Sequence, residues 1–417
     1  MNAHAHIVVG LGFGDEGKGS AVDYLARLHG ASLVVRFNGG PQALHHVVLP
    51  DGRTHGFSQF GSAYFVPGVD TYLSHHMLIE PIALMEEADK LSQLNGDNPY
   101  QRLAVDENCL VITPFHWWAN IARERVRGND RHGSCARGVG ECRGDFLTGK
   151  TSIFFKDLHN PPLLKQKLHA IMMAKLDTIM LDLPEYGPER PARFTEIMSG
   201  FDTLLERYQE FAEKVTIGNV DYLKNQLCKS VSIFEGAQGV LLDEVYGFAP
   251  YNTWTDTTFR NADDLLAGTG VKRTRIGVMR TMMTRHGAGP FPSEDAASAY
   301  DGDLNAANEW QGNFRFGMLD FPLLRYAIRS CGHVDCLFVT HLDKIGTGLR
   351  AVIRYGSKSL LFRRIPERFT SEQFPELELT TTGTITDILD IEYHLEENIP
   401  VFYTSRGPTW ADKEERR

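Results

Sequence analysis

The sequence predicts an α/β fold, a single domain over residues 1–417 built around a mainly parallel twisted sheet, with a glycine-rich loop after the first strand and a helical insertion. Short apolar runs rich in β-branched residues recur along the chain, and several lead into polar turns and then into stretches with helical spacing. Because these runs are apolar throughout, they are typical of parallel strands covered on both faces. The predicted strands are residues 7–10, 32–37, 110–113, 230–234, 275–279, 336–340 and 400–403.

The region from about residue 160 to 228 has a different pattern. Its apolar residues recur at three- and four-residue steps, which predicts amphipathic helices. They include Leu163, Leu164, Leu168, Ile171, Met172, Ile197, Phe201, Leu204, Leu205, Tyr208 and Phe211. We interpret this region as a helical insertion whose apolar face serves core packing. No repeat or Pro/Gly/Ser linker divides the chain, which favours one domain.

The composition excludes several classes of protein. With 43 Lys and Arg against 53 Asp and Glu, the formal charge is −10, the wrong sign for a general binder of nucleic acid or anionic membranes. The six cysteines form no CxxC pair, so neither a zinc site nor a disulfide framework is indicated. The start is too short for a secretion signal and no long apolar stretch follows. We therefore expect a cytoplasmic protein with free thiols.

The glycine-rich loop has the features of a phosphate-binding loop. The spacing Gly12-x4-Gly17-Lys18 satisfies most of that pattern, and residues 20–28 have helical spacing. A strand, turn and helix in this order aim backbone N–H groups and the positive end of the helix dipole at one point, where an anion is favoured. Gly19, however, stands where the pattern has the Ser or Thr that holds magnesium. The alternative interpretation is a plain turn with a solvated lysine.

Asp15 places a carboxylate inside this turn. It would repel a phosphate unless it held a metal or took part in the chemistry. The loop is therefore predicted both to hold a nucleoside triphosphate and to supply a reacting group.

Further motifs follow one another along almost the whole chain. They are Gly14-Asp15-Glu16-Gly17-Lys18-Gly19, Glu235-Gly236-Ala237-Gln238-Gly239, and residues 35–45, 137–140, 250–258, 284–294, 319–320, 340–343 and 405–408. In content and order they resemble the signature segments of the adenylosuccinate synthetase family. Chance agreement of so many segments in order is negligible, so the sequence is identified as a member of that superfamily.

The resemblance implies a ligase, usually a homodimer, that joins a 6-oxopurine nucleotide to L-aspartate with Mg²⁺ and GTP, or with ATP or dATP in its place. Asp15 would take the N1 proton of the purine, so that the 6-oxygen attacks the γ-phosphate. The amine of aspartate would then displace the 6-phosphoryl group. Lys18 would neutralise phosphate charge, and His45 would support the departing diphosphate.

The resemblance also implies which residues form the site. The catalytic residues would be Asp15, Lys18 and His45, and Mg²⁺ would be held by Asp15 and the backbone at Leu44. The triphosphate would be bound by Gly14, Glu16, Gly17, Lys18, Gly19, Asp343, Ser405, Gly407 and Pro408. The substrate nucleotide would be bound by Asp15, Gln42, Ser134, Cys135, Gln238 and Thr253, and the amino acid by Arg315.

The chemistry of two of these residues agrees with the roles that the resemblance implies. Asp343 closes an apolar strand with a carboxylate that can accept from guanine N1 and N2, which favours GTP over adenine nucleotides. The amide of Gln238 can both donate to and accept from a purine edge.

Several positions depart from the family pattern. Gln42 replaces an asparagine, Leu44 a glycine, Cys135 a threonine and His341 a lysine. Residues 310–318 retain only Arg315 where the family has several arginines, although a dicarboxylate favours arginine forks. These departures predict a modified nucleotide pocket and leave IMP and dGMP, the substrate of phage relatives, both open.

Other functions stay open at this point. The chain could run the same chemistry with a different amine, or it could be a non-catalytic nucleotide-binding regulator. The presence of Asp15, Lys18, His45 and Gln238 favours the enzyme, since a pseudoenzyme usually loses one such residue.

Overall fold

The computed structural model describes residues 3–185, 187–300, 303, 305, 310–346, 348–355, 369–370, 379–395 and 397–416. The helices of these residues are α1 (Lys18–His29), α2 (Pro81–Asn95), α3 (Pro114–Arg127), α4 (Val139–Leu147), α5 (Pro161–Ile179), α6 (Glu189–Ser199), α7 (Phe201–Lys214), α8 (Val220–Leu227), α9 (Arg260–Leu266), α10 (Phe321–Cys331) and α11 (Ile388–Leu395). The strands are β1 (His4–Gly10), β2 (Leu33–Arg36), β3 (His45–Val48), β4 (Thr54–Phe57), β5 (Asp70–Leu73), β6 (Leu78–Ile79), β7 (Leu103–Asp106), β8 (Leu110–Val111), β9 (Thr216–Gly218), β10 (Val231–Glu235), β11 (Phe248–Ala249), β12 (Lys272–Arg280), β13 (Met283–His286), β14 (Phe314–Gly317), β15 (Leu319–Asp320), β16 (Cys336–Thr340), β17 (Leu349–Tyr355), β18 (Phe369–Thr370), β19 (Leu379–Ile385), β20 (Val401–Ser405) and β21 (Lys413–Glu415).

One large sheet forms the centre of the fold. Among the described residues it has ten strands in the order β21-β20-β16-β12-β1-β10-β2-β5-β7-β9, and only the β20–β21 pair is antiparallel. This confirms the predicted α/β fold with a mainly parallel sheet. Six of the seven predicted strands lie in it. The seventh, at residues 110–113, contains β8, which instead pairs in parallel with β6 in a separate two-stranded sheet.

The central strands are buried on both faces. Ile7 and Val9 of β1 belong to the apolar core that includes Leu324 of α10, whereas Val8 belongs to the core that includes Leu25 of α1. Alternate residues therefore enter two different cores. This double burial explains why these strands are apolar throughout, as expected for a parallel sheet with helices on both sides.

The helical insertion consists of α5, α6 and α7. Leu164 and Leu168 of α5 and Tyr208 and Phe211 of α7 are fully buried in a third apolar core. The predicted region extends to residue 228, and α8 (Val220–Leu227) lies at its end, but the short strand β9 interrupts the helices after Lys214. Strand β9 pairs in parallel with β7, and its β-branched residues suit a strand better than a helix.

The parallel strands bring the sequence motifs together. The carboxyl ends of β1, β2, β10, β12, β16 and β20 share one edge of the sheet, and each is followed by a segment that carries a predicted site residue or a family motif. Ligands of open parallel sheets bind in the crevice at this edge. Separately, no helix among the described residues is both long enough and apolar enough to cross a membrane.

We predict that Leu168→Ala in α5 destabilises the protein strongly. Leu168 is fully buried, and removing such a side chain typically costs about 2–5 kcal/mol because a cavity remains. The matched control is Met173→Ala on the same helix, where the side chain is 52% exposed and a change within about 0.5 kcal/mol is expected. Urea unfolding of both variants checks this. Equal shifts of the two midpoints would show that α5 does not pack as described.

Candidate active site

A cleft of about 1920 Å³ runs along the carboxyl edge of the sheet. It gathers nearly all the predicted site residues, although they are spread from residue 14 to residue 408. The predicted residues that line it are Gly14, Asp15, Gly17, Lys18, Gly19, Gln42, Leu44, His45, Ser134, Cys135, Gln238, Thr253, Asp343, Ser405, Gly407 and Pro408. Glu16 and Arg315 are not among the lining residues.

Glu16 braces the phosphate-binding loop from within. Its carboxylate accepts hydrogen bonds from the backbone N–H groups of Gly12 at 2.9 Å and Gly14 at 2.8 Å. The other carboxylate oxygen lies 2.6 Å from Lys18 Nζ, and both residues are 3% exposed. Glu16 therefore shapes the loop and pairs with its lysine, and it does not itself face the cleft.

Gly19 lies too close to His45 to carry a side chain. A Cβ atom at position 19 would lie 2.7 Å from the Cβ of His45 and 3.0 Å from its carbonyl carbon. Such contacts are far below van der Waals distance, so the Ser or Thr of the usual phosphate-loop pattern does not fit. The departure noted in the sequence thus has a steric cause, since the start of α1 packs directly against β3 and brings Lys18 close to His45.

His45 is held by a buried carboxylate. Its Nδ1 lies 2.5 Å from Glu235 Oε1, and Glu235 also accepts from the backbone N–H of Ser62 at 2.9 Å. Burial lowers the pKa of His45, and Glu235 opposes that shift only in part. Burial alone would raise the pKa of Glu235, but the charge of buried Arg36 and the contact with His45 hold it below its usual value. His45 is therefore neutral with its Nδ1–H donated to Glu235.

The sequence did not single out Glu235 for this role. In the sequence, Glu235 was recognisable only as the first residue of the Glu-Gly-Ala-Gln-Gly motif, at the end of a predicted strand. Because β10 and β3 are far apart in the chain, no local spacing pointed to the contact with His45.

Asp15 faces the cleft in a conformation that the loop imposes. Its backbone φ is 63°, in the left-handed region, and its carbonyl accepts a hydrogen bond from Arg280 Nε. One oxygen of its carboxylate lies 3.5 Å from His286 Nε2. Arg280 and His286 also line the cleft, and the sequence had not indicated either of them. Arg280 precedes the motif at residues 284–294 and His286 lies within it, at a position that the motif leaves open; this proximity was the only available signal.

Two glutamine side chains offer amide groups to the cleft. Asn38 holds the turn before Gln238 by accepting from the N–H of Ala237 at 2.7 Å and donating to the carbonyl of Asp256 at 2.9 Å. Gln238 Oε1 is buried without a hydrogen-bond partner among the described residues, as are both amide atoms of Gln42. An unpaired buried polar group costs free energy, so these amides suit a polar ligand.

Three other predicted substrate residues line the same cleft. Ser134 Oγ donates to Asn120 Oδ1 at 2.9 Å, and burial raises the pKa of the Cys135 thiol, which stays neutral. The backbone N–H of Thr253 donates to the carbonyl of Leu242 at 2.8 Å. The side chain of Leu44, predicted at the metal site, is 52% exposed.

The part of the cleft formed by residues after β16 and β20 is hydrogen-bonded to the phosphate loop and the start of α1. Ser20 Oγ, on the first turn of α1, donates to the carbonyl of Pro408 at 3.0 Å, and Thr340 Oγ1 donates to the carbonyl of Glu16 at 2.8 Å. Asp343 Oδ2 lies 3.0 Å from Lys344 Nζ. These contacts place the predicted base-binding residues beside the loop that would hold the phosphates.

His341 is uncharged at the position where the family has a lysine. Its Nδ1 lies 2.9 Å from Thr340 Oγ1. Burial lowers its pKa to about 3. The wall of the cleft therefore lacks a positive charge at this point.

Arg315 is held away from the cleft. Its guanidinium makes a bidentate pair with Glu294, with bonds of 2.8 and 2.5 Å, and donates to the carbonyls of Gly287 and Gly289. The structure thus does not bring the predicted amino-acid ligand to the other site residues. Other arginines do line the cleft, among them Arg280 and Arg285, and Arg285 stacks 4.4 Å from the centre of the Phe13 ring.

We predict that Glu235→Gln impairs catalysis through His45. A neutral amide does not hold an imidazole with a defined Nδ1–H tautomer as a carboxylate does, so we expect kcat to fall by about 10²-fold, within the range of general acid–base effects. Ser62→Ala is the matched control because it removes one donor to Glu235 and leaves its charge. Steady-state kinetics of the expected ligase reaction, with thermal melts of each variant, check this. Equal losses in both variants would contradict the positioning role.

Comparison with known proteins agrees with this geometry. The family model described as adenylosuccinate synthetase matches residues 7–375. The adenylosuccinate synthetase of Saccharopolyspora erythraea is 31% identical over 358 residues, which cover 84% of this chain and 79% of the relative. That of Thermobifida fusca is 32% identical over 357 residues, with 83% and 78% covered.

Solved structures show the same fold. The fully ligated adenylosuccinate synthetase from Plasmodium falciparum matches with a TM-score of 0.80 at 20% identity and covers 99% of both chains. The succinoaminodeoxyadenylate synthetase of cyanophage S-2L, bound to dGMP and dATP, matches with a TM-score of 0.63 at 18% identity, covering 100% of this chain and 96% of that one. The chain described here belongs to the adenylosuccinate synthetase family of carbon–nitrogen ligases.

Proposed function

We propose that this enzyme uses GTP and Mg²⁺ to phosphorylate the 6-oxygen of a 6-oxopurine nucleotide and then joins the purine to L-aspartate. The observation that carries the proposal is the position of Asp15. Its carboxylate faces a cleft that also contains Lys18 of the phosphate loop and the unpaired amide of Gln238. A base, a phosphate-binding cation and a purine-reading amide thus share one site.

The first half of the reaction depends on Asp15 and Lys18. Asp15 accepts the N1 proton of the purine, and the electrons released make the 6-oxygen the nucleophile that attacks the γ-phosphorus. The bond from the γ-phosphorus to the bridging oxygen breaks, and GDP leaves. Lys18 and the loop N–H groups neutralise the charge that gathers on the departing diphosphate.

His45 lies where it can assist that departure. Its Nδ1 is committed to Glu235, so Nε2 is the ring nitrogen left for the nucleotide. A nearby diphosphate raises the pKa of an imidazole, because an opposite charge favours the protonated form. His45 therefore becomes a better acid or hydrogen-bond donor as negative charge develops.

The second half transfers the purine to the amine. The nitrogen of aspartate attacks C6, and the bond from C6 to the phosphorylated oxygen breaks to release inorganic phosphate. Asp15 then holds the proton that must be returned to solvent or to the product. Arg315, once free of Glu294, would bind a carboxylate of the amino acid.

Mg²⁺ fits the donors at this site. The carboxylate of Asp15 is a hard oxygen ligand that is partly open to the cleft, and the backbone carbonyl of Leu44 would supply a second oxygen. When bound, the ion neutralises triphosphate charge. The family resemblance adds a homodimer to the proposal, which light scattering of the purified protein tests.

The purine could be IMP or dGMP, and one observation favours the second. The 2-amino group of dGMP offers N–H donors that IMP lacks. The amide oxygen of Gln238 is buried without a partner among the described residues, whereas both amide atoms of Gln42 are unpaired and favour neither purine. With Gln238 at the purine edge, a 2-amino group would donate to this oxygen, which IMP leaves unpaired.

We expect nucleotide- and aspartate-dependent release of phosphate when the protein is given Mg²⁺, GTP and either purine nucleotide. The measurement is product mass together with phosphate release, for IMP and dGMP, with GTP, ATP or dATP, and with or without aspartate. Turnover with dGMP alone would assign the phage-type activity, and turnover with IMP alone the common one. Turnover with another amine would replace aspartate in the proposal. No turnover with any combination, while GTP still binds, would favour a nucleotide-binding regulator.

We predict that Asp15→Asn slows phosphoryl transfer strongly while leaving triphosphate binding largely intact. The amide cannot take the N1 proton, so kcat should fall by about 10²- to 10⁴-fold. Asp51→Asn, at an exposed ion pair with Arg53, is the matched control and should keep full activity. Single-turnover assays and titration with a non-hydrolysable GTP analogue separate the two effects. A variant with normal turnover would exclude Asp15 as the base.

A further inference from the structure

A cluster of two histidines and one aspartate lies outside the cleft. His75 and His76 follow β5, and Asp264 lies on α9; one ligand atom from each falls within 4.8 Å of the others. His76 Nε2 is 3.0 Å and His75 Nε2 is 3.9 Å from the same oxygen, Asp264 Oδ2. None of the three lines the cleft.

These separations suit a small metal ion. Ligands at about 2.0–2.1 Å from a tetrahedral Zn²⁺ are about 3.3–3.4 Å from one another. The two distances to Asp264 Oδ2 lie on either side of that value. The rings of His75 and His76 are 4.1 Å apart between centres and tilted by 41°, so neither ring covers the other completely.

A buried carboxylate faces the outer side of His75. Asp106 Oδ2, at the end of β7, lies 3.8 Å from His75 Nδ1. Asp106 is itself fixed, because it accepts from the hydroxyl of Tyr72 at 2.7 Å and from the N–H of Asn108 at 2.9 Å. Histidine ligands of metals commonly donate their second ring N–H to a carboxylate, which orients the ring and raises its basicity. At 3.8 Å this contact is electrostatic and longer than a hydrogen bond, but it favours a proton on Nδ1 and leaves Nε2 for a metal.

Metal binding requires neutral imidazoles and an ionised carboxylate. His75, His76 and Asp264 supply two imidazoles and one carboxylate within one small cluster.

We propose that His75, His76 and Asp264 bind a divalent transition metal of the Zn²⁺ type, separately from Mg²⁺ in the cleft. Two imidazoles and one carboxylate favour Zn²⁺ over Mg²⁺ or Ca²⁺, which prefer oxygen ligands throughout. Water would complete the coordination. The ion would join the turn after β5 to α9, two segments that are almost 190 residues apart in the chain.

The test is Zn²⁺ binding to the full chain after treatment with a chelator. The calorimetry is done in excess Mg²⁺, which occupies the proposed Mg²⁺ site in the cleft, so that the measured heat reports Zn²⁺ binding elsewhere. We expect one Zn²⁺ per chain, a higher melting temperature with Zn²⁺ than without it, and visible d–d bands of a four-coordinate ion when Co²⁺ replaces Zn²⁺.

Variants distinguish this site from adventitious binding elsewhere. His76→Ala should abolish the binding, and Asp106→Asn should weaken it by about 10- to 100-fold. His333→Ala is the matched control, because His333 and Asp335 form a similar pair at 2.9 Å without a second histidine in the cluster. Melts without metal check that each variant folds.

The proposal would be overturned by absence of Zn²⁺ binding, or by binding that His76→Ala leaves unchanged. Either result would make the cluster an ordinary ion pair between His76 and Asp264. Because none of these readouts uses ligase activity, the result is independent of the proposed function.

Discussion

The active-site geometry depends on the parallel pairing of β1 with β10 on one side and β12 on the other. In this register Val8 lies opposite Glu235, and Gly10 lies opposite Val278. The phosphate loop, the turn that carries Gln238 and the segment after β12 therefore leave the sheet at the same edge. Asp15 and Arg280 therefore meet although 265 residues separate them in the chain. A shift of one residue in the pairing of β1 with β12 would break this contact, since alternate side chains point to opposite faces.

Buried charges then fix the reacting groups. Glu16, Lys18, Glu235 and Arg36 are each 3% exposed or less. Removing an ion from water costs several kcal/mol, and pairing recovers that cost only with good geometry. These pairs are therefore better explained by positioning than by stability. Glu16 keeps the loop N–H groups converged, and Glu235 keeps His45 in one tautomer. In the proposed reaction, the same two carboxylates would define where a triphosphate and its departing diphosphate are held.

The fold was largely predictable from the sequence, because strands of a sheet with helices on both faces are recognisable as continuous apolar runs. The exceptions have a physical cause. Strand β5 begins with a polar pair, Asp70 and Thr71, and β7 is only four residues long, so neither stood out as an apolar run. The site was predictable where a motif is local, as in the loop around Asp15 and Lys18. It was not predictable where function depends on a distant partner, such as Glu235 for His45 or His286 for Asp15, since no spacing in the chain encodes such contacts.

The pair between Arg315 and Glu294 bears on how the amino acid is recognised. Glu294 is about half exposed, with 47% of its side chain accessible, and exposed ion pairs contribute only about 0–1 kcal/mol net. If Arg315 released Glu294 and paired with a substrate carboxylate, the loss of the ion pair with Glu294 would therefore cost little electrostatic free energy. The greater barrier is the backbone, because Arg315 also donates to the carbonyls of Gly287 and Gly289. Those carbonyls belong to the same loop as Ala288, which lines the cleft and also accepts from Arg285. Release of Arg315 thus requires movement of a loop that borders the cleft. If Arg315 binds the amino acid as proposed, this movement would couple amino-acid binding to the shape of the nucleotide pocket.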